Sequence, residues 1–533
     1  MFDIILKGGQ VFDGTGAAGF RGDLAIRAGR IAAIAPDIPT ESGAEVIDVS
    51  GLTVAPGFID MHTHSDFTLI ADGRAESQVH QGVTTEVVGQ CGMSCAPVCT
   101  HGAIRAVAPW YVDKAPHPNW LSFANYLDAL AATPLGVNVM AFVGHGTIHR
   151  AVLGDALRAG DSDEVAAMAR LVDQCLEEGA GGFSSGLEYF PGCLATPEHL
   201  VPMAAVAQKH GRLYATHVRN RDTQYDLGFA EAISTARQAD VRLQISHIQP
   251  KFGSPTYAMA HTLDIIHAAH RQGVDVAFDV VPHDWSHTLM AAILPHWAQA
   301  GGLDAVRARL QDPVARARIK QNPRPMWLIV KAGRWQDILL INATQNRDIV
   351  GLDFAEIGRL RRVDPYDAVL DILLEEEEHM MSCMWSSLNF RDADIALCLA
   401  QPECAVISDT VAIANDGVLK DQLGSLSGYG WAARFLRHYV RDRGLLGLAD
   451  ALAKITAIPA GRLGLKQRGQ LQRGFHADIC VFDAVNIASN ATPRDPRRYA
   501  TGIAHVIVNG RFSMRDGQRT HTNAGVVLRE FAA

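Results

Sequence analysis

The stretch EHLVPMAAVAQKHGRLYATH, residues 198–217, joins a helical segment to a short strand that ends in a histidine. The helical part extends from Glu198 to His210, and the apolar run Leu213-Tyr-Ala-Thr-His217 has β-type composition. A second such run, Leu243-Gln-Ile-Ser-His247, also ends in a histidine. This alternation of strands and helices is typical of βα units built around a parallel sheet.

The same arrangement recurs along most of the chain. Further helical stretches cover Asp163 to Glu178 and Ala258 to Gln272. Eight candidate strands end near the following residues: His62 or His64, Cys91, His145, Ser184, His217, His247, Pro282 and Asp409. Several of these are potential ligands or acids, and barrel enzymes build their active sites at the carboxyl ends of the strands. We therefore predict an α/β fold, a (β/α)8 TIM-like barrel.

Two other regions are predicted around this barrel. The gap between Pro282 and Cys404 is longer than the others and has a helical pattern of its own, which predicts a lid inserted after strand 7 at about residues 285–400. Short strand-like segments near both termini predict one small β-sandwich domain shared by the two ends. The predicted domains are residues 1–56 and 473–533 for the sandwich and 57–472 for the barrel with its insertion.

Composition narrows the functional classes. The chain has 533 residues, of which 48% are hydrophobic and 20% charged, and its net charge is -9. It has no basic patch, so we expect no nucleic acid or membrane partner. The N-terminus does not resemble a secretion signal, and nine cysteines without framework spacing are expected to be free thiols. We expect a soluble, cytoplasmic protein, for which a homo-oligomer is compatible with the sequence.

The first metal motif is His62-Thr-His64. Residues two apart on a strand point to the same face, so both imidazoles can bind one metal ion. With 22 histidines in the chain, about one such pair is expected by chance, so the motif alone is weak.

Other candidate ligands follow separate strands. A thiolate at Cys91 is a soft ligand suited to zinc, although most such cysteines are buried and inert. Together with His217 and His247 it supplies three donors, the number that a catalytic zinc uses while a fourth position stays open for water. An aspartate after a strand is most often a turn or cap residue, yet Asp409 stands at the eighth strand end.

Several of these segments resemble the motifs of the N-acyl-D-amino-acid deacylases, a branch of the amidohydrolase superfamily. The resemblance covers nearly the whole chain. It implies a metal-dependent amidohydrolase that uses zinc. The enzyme would cleave a linear amide bond of a small N-acyl substrate, most simply an N-acyl-D-amino acid. The motifs that carry it are Phe58-Ile-Asp-Met-His-Thr-His64, Gly89-Gln-Cys-Gly-Met-Ser94, Gly182-Phe-Ser-Ser-Gly-Leu-Glu-Tyr189, Thr216-His-Val-Arg-Asn220, Ile245-Ser-His247 and Ile407-Ser-Asp409.

The resemblance also implies roles for individual residues. Cys91, His217 and His247 would hold a tight zinc. A second, weaker site would involve His62, His64 and Asp409, with Asp409 also the general acid/base. Lys251 and Tyr189 stand at positions similar to the family's substrate contacts.

One region departs from the family pattern. Relatives usually carry Tyr-Pro-Tyr after the seventh strand, where this chain has Val281-Pro-His283-Asp-Trp285-Ser-His287-Thr. We predict that His283 and His287 also contact the substrate, and that the pocket accepts a bulkier or aromatic group. A hydrolase of another amide or carbamate, and a barrel scaffold without catalysis, remain as alternatives. A cyclic-amide hydrolase of the dihydropyrimidinase kind is less favoured, because no lysine stands at the fourth strand end.

Overall fold

The barrel is built from eight parallel strands, as the computed structural model shows. The structure describes residues 1–40, 43–100, 119–221, 223–321, 328–422, 424–529 and 531. We number the barrel strands β1 to β8: β1 (Phe58–Asp60), β2 (Val83–Val88), β3 (Asn138–Ala141, continued by Val143–Gly144), β4 (Gly182–Gly186), β5 (Leu213–His217), β6 (Leu243–Ile245), β7 (Val276–Val280) and β8 (Cys404–Val406). The predicted (β/α)8 fold is confirmed.

The barrel closes between its first and last strands. Neighbouring strands pair in parallel from β1 to β3 and from the continuation of β3 to β8. A parallel bridge joins Thr63 to Thr410 just beyond the ends of β1 and β8. Here the Asp409 amide donates to the His62 carbonyl at 3.1 Å, and the His64 amide donates to the Thr410 carbonyl at 2.6 Å. The closing seam therefore brings three of the predicted ligands together.

Helices surround the barrel on its outer side, and those predicted from sequence begin and end within one residue of the expected positions. Asp161 caps the helix Ser162–Glu177 with a capping box, which explains its sharp start. The helices that follow the strands are Thr68–Ala71, Glu76–Val79, Phe123–Ala132, His145–Leu153, Ser162–Glu177, Pro197–Lys209, Tyr225–Ala239, Ala258–Arg271, Asp392–Leu399, Leu426–Arg434, Leu448–Lys454 and Ala457–Leu463. A π-helical segment, Phe435–Asp442, continues the helix Leu426–Arg434.

The interior of the barrel is a packed apolar core. It contains Ile59, Val87 and Met140 from the first three strands, and Leu213 and Ala215 from β5. Side chains alternate along a strand, so His217 follows Leu213 and Ala215 on the inward face. This interior cluster is apolar, and the predicted ligands lie beyond it at the carboxyl end of the barrel.

An insertion with its own hydrophobic core separates β7 from β8. Its three antiparallel strands are ordered Trp285–Leu289, Met384–Leu388 and Ile338–Asn342. This confirms the predicted lid after strand 7. Its helices are His296–Gln299, Gly302–Gln311, Pro313–Gln321, Leu328–Lys331, Phe354–Arg361 and Pro365–Glu375.

Strands from both termini form one nine-stranded sheet. The N-terminal strand Thr53–Pro56 pairs antiparallel with the C-terminal strand Ile479–Phe482, which joins the two ends of the chain. The other strands are Phe2–Val11, Phe20–Arg27, Arg30–Ala35, Gly43–Asp48, Ile503–Val508, Arg511–Arg515 and Gln518–Arg519. The residue bounds of the two domains and of the insertion stay a prediction. Among the described residues, no helix is both long and apolar enough to cross a membrane.

Candidate metal centre

Six predicted ligands meet at the carboxyl end of the barrel in two groups. Cys91, His217 and His247 form one group, and His62, His64, Cys91 and Asp409 form the other. Within each group, the ligand atoms lie within 4.8 Å of one another. Cys91 belongs to both groups, so its sulfur lies between two sites that could each hold an ion.

Distances in the first group fit a zinc ion. The Cys91 Sγ lies 3.6 Å from the His217 Nδ1 and 3.4 Å from the His247 Nε2. Zinc binds sulfur at about 2.3 Å and nitrogen at about 2.0 Å, so a tetrahedral site separates a sulfur and a nitrogen ligand by roughly 3.5 Å. The three side chains are therefore spaced as they would be around one zinc ion.

The second group is centred on Asp409. Its Oδ1 lies 3.3 Å from the His62 Nε2 and 3.2 Å from the His64 Nε2. The His62 Nε2 is also 3.3 Å from the Cys91 Sγ. The Asp409 side chain keeps 19% of its surface exposed, whereas that of His62 keeps 1%. Asp409 is thus the member of this group that incoming molecules can reach most readily.

The electrostatics of the cluster favour the metal-binding forms of Cys91, Asp409 and His247. For His62 and His64, Asp409 and Cys91 outweigh burial and raise the pKa of the rings, that of His64 to about 9, which favours their protonated forms. Burial opposes ionisation of Cys91, but the charge of His62 and the hydrogen bonds from His217 and His247 outweigh it and hold the pKa of the thiol well below its usual range. Burial likewise opposes the charge on Asp409, yet the hydrogen bonds from His62 and His64 hold the pKa of this carboxyl well below normal. Burial and the nearby Arg221 lower the pKa of His247 to about 3, so its ring is neutral. A thiolate, a carboxylate and a neutral imidazole are the forms in which these residues bind metals.

Three of the ligands have unusual backbone conformations. The φ angles of Cys91, His247 and Asp409 are 53°, 35° and 54°. They lie in the left-handed region that residues other than glycine rarely adopt. Each residue lies just after a barrel strand. Close packing accompanies this bend, because a Cβ on Gly186 would lie 2.0 Å from the Cys91 carbonyl oxygen. Such strain clusters at functional sites.

Two buried carboxylates that we did not predict as site residues support the ligands. The Oε2 of Glu188 accepts a hydrogen bond from the His217 Nε2 at 2.6 Å and also one from Lys251. In β7, the Asp279 Oδ1 accepts from the backbone amide of His247 at 2.6 Å. An acid within the apolar run of β7 was a usable signal for Asp279. Glu188 follows β4 by two residues, which was a weaker signal.

The predicted substrate contacts do not all reach this cluster. The Tyr189 ring packs edge-on against the His217 ring at 4.8 Å, and its hydroxyl lies 3.2 Å from the Thr288 Oγ1. His287 hydrogen-bonds to the backbone of Asp409, and burial lowers the pKa of its ring. Lys251, by contrast, lies behind His217 against Glu188.

His283 lines a different cavity. This cavity has a volume of about 410 Å³ and is also bordered by Trp285 and Arg434. The structure therefore does not bring the His283 side chain to the ligand cluster. Its role as a substrate contact stays a prediction.

Comparisons with known proteins agree with the fold and the cluster. The model of the amidohydrolase family matches residues 45–321 and 409–514. The chain is 34% identical to a D-aminoacylase from Alcaligenes xylosoxydans xylosoxydans, over 100% of this chain and 98% of that protein. It is 32% identical to an N-acyl-D-aspartate deacylase from the same organism, over 97% of this chain and 93% of that protein.

Solved structures give the same result. A crystal structure of a D-aminoacylase matches with a TM-score of 0.82 and 31% identity, over 99% of this chain and 100% of that chain. An N-acyl-D-glutamate deacylase from Bordetella bronchiseptica, complexed with zinc and a phosphonate mimic of the tetrahedral intermediate, matches with a TM-score of 0.84, 30% identity and the same coverage. This protein belongs to the amidohydrolase family, as a hydrolase of C–N bonds in the branch that contains the D-aminoacylases.

Proposed function

We propose that this protein is a zinc-dependent deacylase that hydrolyses the linear amide bond of an N-acyl-D-amino acid or a related N-acyl compound. The observation that carries the proposal is the spacing of Cys91, His217 and His247, which fits one zinc ion. Relatives with D-aminoacylase, N-acyl-D-aspartate deacylase and N-acyl-D-glutamate deacylase activity support the substrate class.

The donor set would hold zinc in the first group and a weaker second ion in the group that contains His62, His64 and Asp409. When bound, zinc supplies Lewis-acid polarisation of the amide carbonyl and lowers the pKa of a water molecule toward neutrality. The three donors of the first group leave a fourth position of a tetrahedral site open.

Asp409 would move the proton during hydrolysis. Its low pKa keeps it as a carboxylate at neutral pH, so it can accept a proton from the attacking water. The protonated carboxyl can then donate to the departing amine nitrogen, which would otherwise leave as a strongly basic anion. The partial exposure of Asp409 is consistent with contact to the substrate.

We propose Tyr189 and His287 as substrate contacts. Both border the cluster: Tyr189 packs on His217, and His287 bonds to Asp409. The role predicted for His283, and that predicted for Lys251, would require these side chains to reach the substrate from their present positions.

A second candidate is a hydrolase of another amide or carbamate. It is favoured by the segment after β7, where His287 stands next to Asp409 and Trp285 begins the first lid strand. A substrate with a bulky or aromatic N-acyl group would fit this candidate.

The deciding experiment measures zinc content and substrate range together. Purified protein is analysed for zinc by mass spectrometry and assayed with N-acyl-D-amino acids, their L-enantiomers and acyl anilides. Hydrolysis of the D-substrates by zinc-loaded protein supports the first candidate, and hydrolysis of anilides alone supports the second. A protein without zinc and without hydrolysis would contradict both, in favour of a non-catalytic scaffold.

We also propose a cytoplasmic location. All nine cysteines are free, and every one except Cys99 is buried, as expected in a reducing compartment. Fractionation of cells that express the full chain would test this. The oligomeric state stays open, and light scattering of the purified protein would determine it.

A further inference from the structure

A buried ion pair lies directly behind the metal ligand His217. The side chains of Glu188, Lys251 and His217 keep only 3%, 5% and 2% of their surface exposed. The Oε2 of Glu188 receives hydrogen bonds from both the His217 Nε2 and the Lys251 ammonium.

This arrangement determines which nitrogen of His217 faces the metal site. Glu188 is paired with the Lys251 ammonium, and a carboxylate in such a pair accepts hydrogen bonds, so the His217 Nε2 carries the hydrogen. The Nδ1 then keeps its lone pair, and this atom lies 3.6 Å from the Cys91 Sγ. The Tyr189 ring contacts the same imidazole. His217 is therefore fixed in both tautomer and orientation.

The other histidines of the cluster are held differently. In the described part of the chain, the Nδ1 atoms of His62, His64 and His247 have no hydrogen-bond partner. His247 is instead held through its backbone, because its amide donates to Asp279 and its carbonyl accepts from Arg221. Among the described residues, His217 is thus the one ligand histidine whose ring nitrogen on the side away from the cluster bonds closely to a carboxylate, that of Glu188.

We infer that Glu188 is a positioning residue for the zinc ligand His217, and that the ion pair with Lys251 holds Glu188 in place. The inference rests on the zinc site of the proposed function. Carboxylates that accept from a ligand histidine raise its basicity as a donor and fix its ring. The Lys251 ammonium offsets the cost of burying the carboxylate at this point.

The first test measures zinc affinity by competition with a chromogenic chelator. Glu188→Ala should weaken zinc binding by about 10- to 100-fold, and Glu188→Gln, which keeps an acceptor oxygen, should lose less. Glu376→Gln is the matched control, because Glu376 is a fully buried glutamate that accepts hydrogen bonds from residues 344–346 in the lid. The control should keep the zinc affinity of the parent.

A second test separates positioning from general structural damage. The cobalt-substituted Glu188→Ala protein should keep the charge-transfer band of the Cys91 thiolate while its d–d bands shift, because the His217 geometry changes. The Lys251→Met variant should weaken zinc binding in the parent and have little further effect in the Glu188→Gln background.

The outcomes are distinct. Unchanged zinc affinity in both Glu188 variants would overturn the inference while the proposed zinc site stands. An equal loss in the Glu376→Gln control would reduce the effect to instability. A Lys251→Met variant with the zinc affinity of the parent would overturn the part of the inference that concerns Lys251. A parent protein that binds no zinc would refute the proposed function itself.

Discussion

Replacing Asp409 with asparagine should separate metal binding from proton transfer. Asparagine has nearly the same shape and keeps one acceptor oxygen for His62 or His64, but it carries no charge and accepts no proton at neutral pH. The Asp409 Oδ2 lies 4.0 Å from the His247 Nε2, and Asp409 is not a member of the group Cys91, His217 and His247. Zinc in that group should therefore remain.

The expected loss of turnover follows from the role of the carboxylate. A positioned general acid or base contributes about 100- to 10,000-fold to the rate. This corresponds to about 2.7–5.4 kcal/mol of lost transition-state stabilisation. Because the fully charged Asp409 faces two histidines at 3.2 and 3.3 Å, the substitution should also weaken any second ion in its own group.

The assay combines steady-state kinetics with zinc analysis of the same protein sample. We expect kcat to fall by at least about 100-fold while the zinc content stays near one ion per chain. Near-normal turnover with zinc bound would refute the proton-transfer role of Asp409. Loss of zinc together with turnover would show instead that Asp409 holds the tight ion, which would refute the division of the cluster into two groups.

Three further predictions concern the ligands and the frame around them. Cys91→Ala removes the donor common to both groups, so mass spectrometry should find almost no zinc, and retention of one ion per chain would contradict this. Arg468→Ala leaves the buried Asp478 without its ion pair, so urea denaturation should show a free energy of unfolding lower by about 3–5 kcal/mol. A loss below about 1 kcal/mol would mean that water replaces the arginine. Burial lowers the pKa of His145 to about 3, and the neighbouring His149 acts in the same direction. Below pH 6.5 the unfolded state therefore binds a proton at this residue that the folded state does not bind. The free energy of unfolding falls as the pH falls through this range. Between pH 7 and pH 5 this should cost the parent about 2 kcal/mol that His145→Gln does not lose, and equal losses in the two proteins would contradict the shift.

The ligands that follow strand alternation could be placed from the sequence. Leu213, Ala215 and His217 share one face of β5, and the first two lie in the barrel interior. Ala405 in β8 and Ile407 just after it lie in the same interior cluster, so Asp409 continues their face. A period of two residues therefore indicates where His217 and Asp409 point.

His247 shows where this reasoning stops. Leu243 and Ile245 pack in the layer between the strands and the helices, so alternation alone would place His247 there as well. Its positive φ of 35° turns the chain, and its Nε2 comes within 3.4 Å of the Cys91 sulfur. No residue type in the run Leu243-Gln-Ile-Ser-His247 signals a left-handed histidine. The role of Glu188 was also hard to predict, because its partners His217 and Lys251 come from distant segments of the chain.

The strained ligands depend on hydrogen bonds from neighbouring strands. Left-handed backbone at a residue other than glycine costs about 1–3 kcal/mol, and it persists only where the surroundings determine it fully. At Asp409 the tether is its amide bond to the His62 carbonyl, and at His247 it is the amide bond to Asp279. Beside Cys91, the Gly92 amide donates to the Ser184 hydroxyl at 3.0 Å. Each tether joins a ligand segment to another barrel strand or its end, so the geometry of the metal centre is set by the closed barrel rather than by the ion that it would hold.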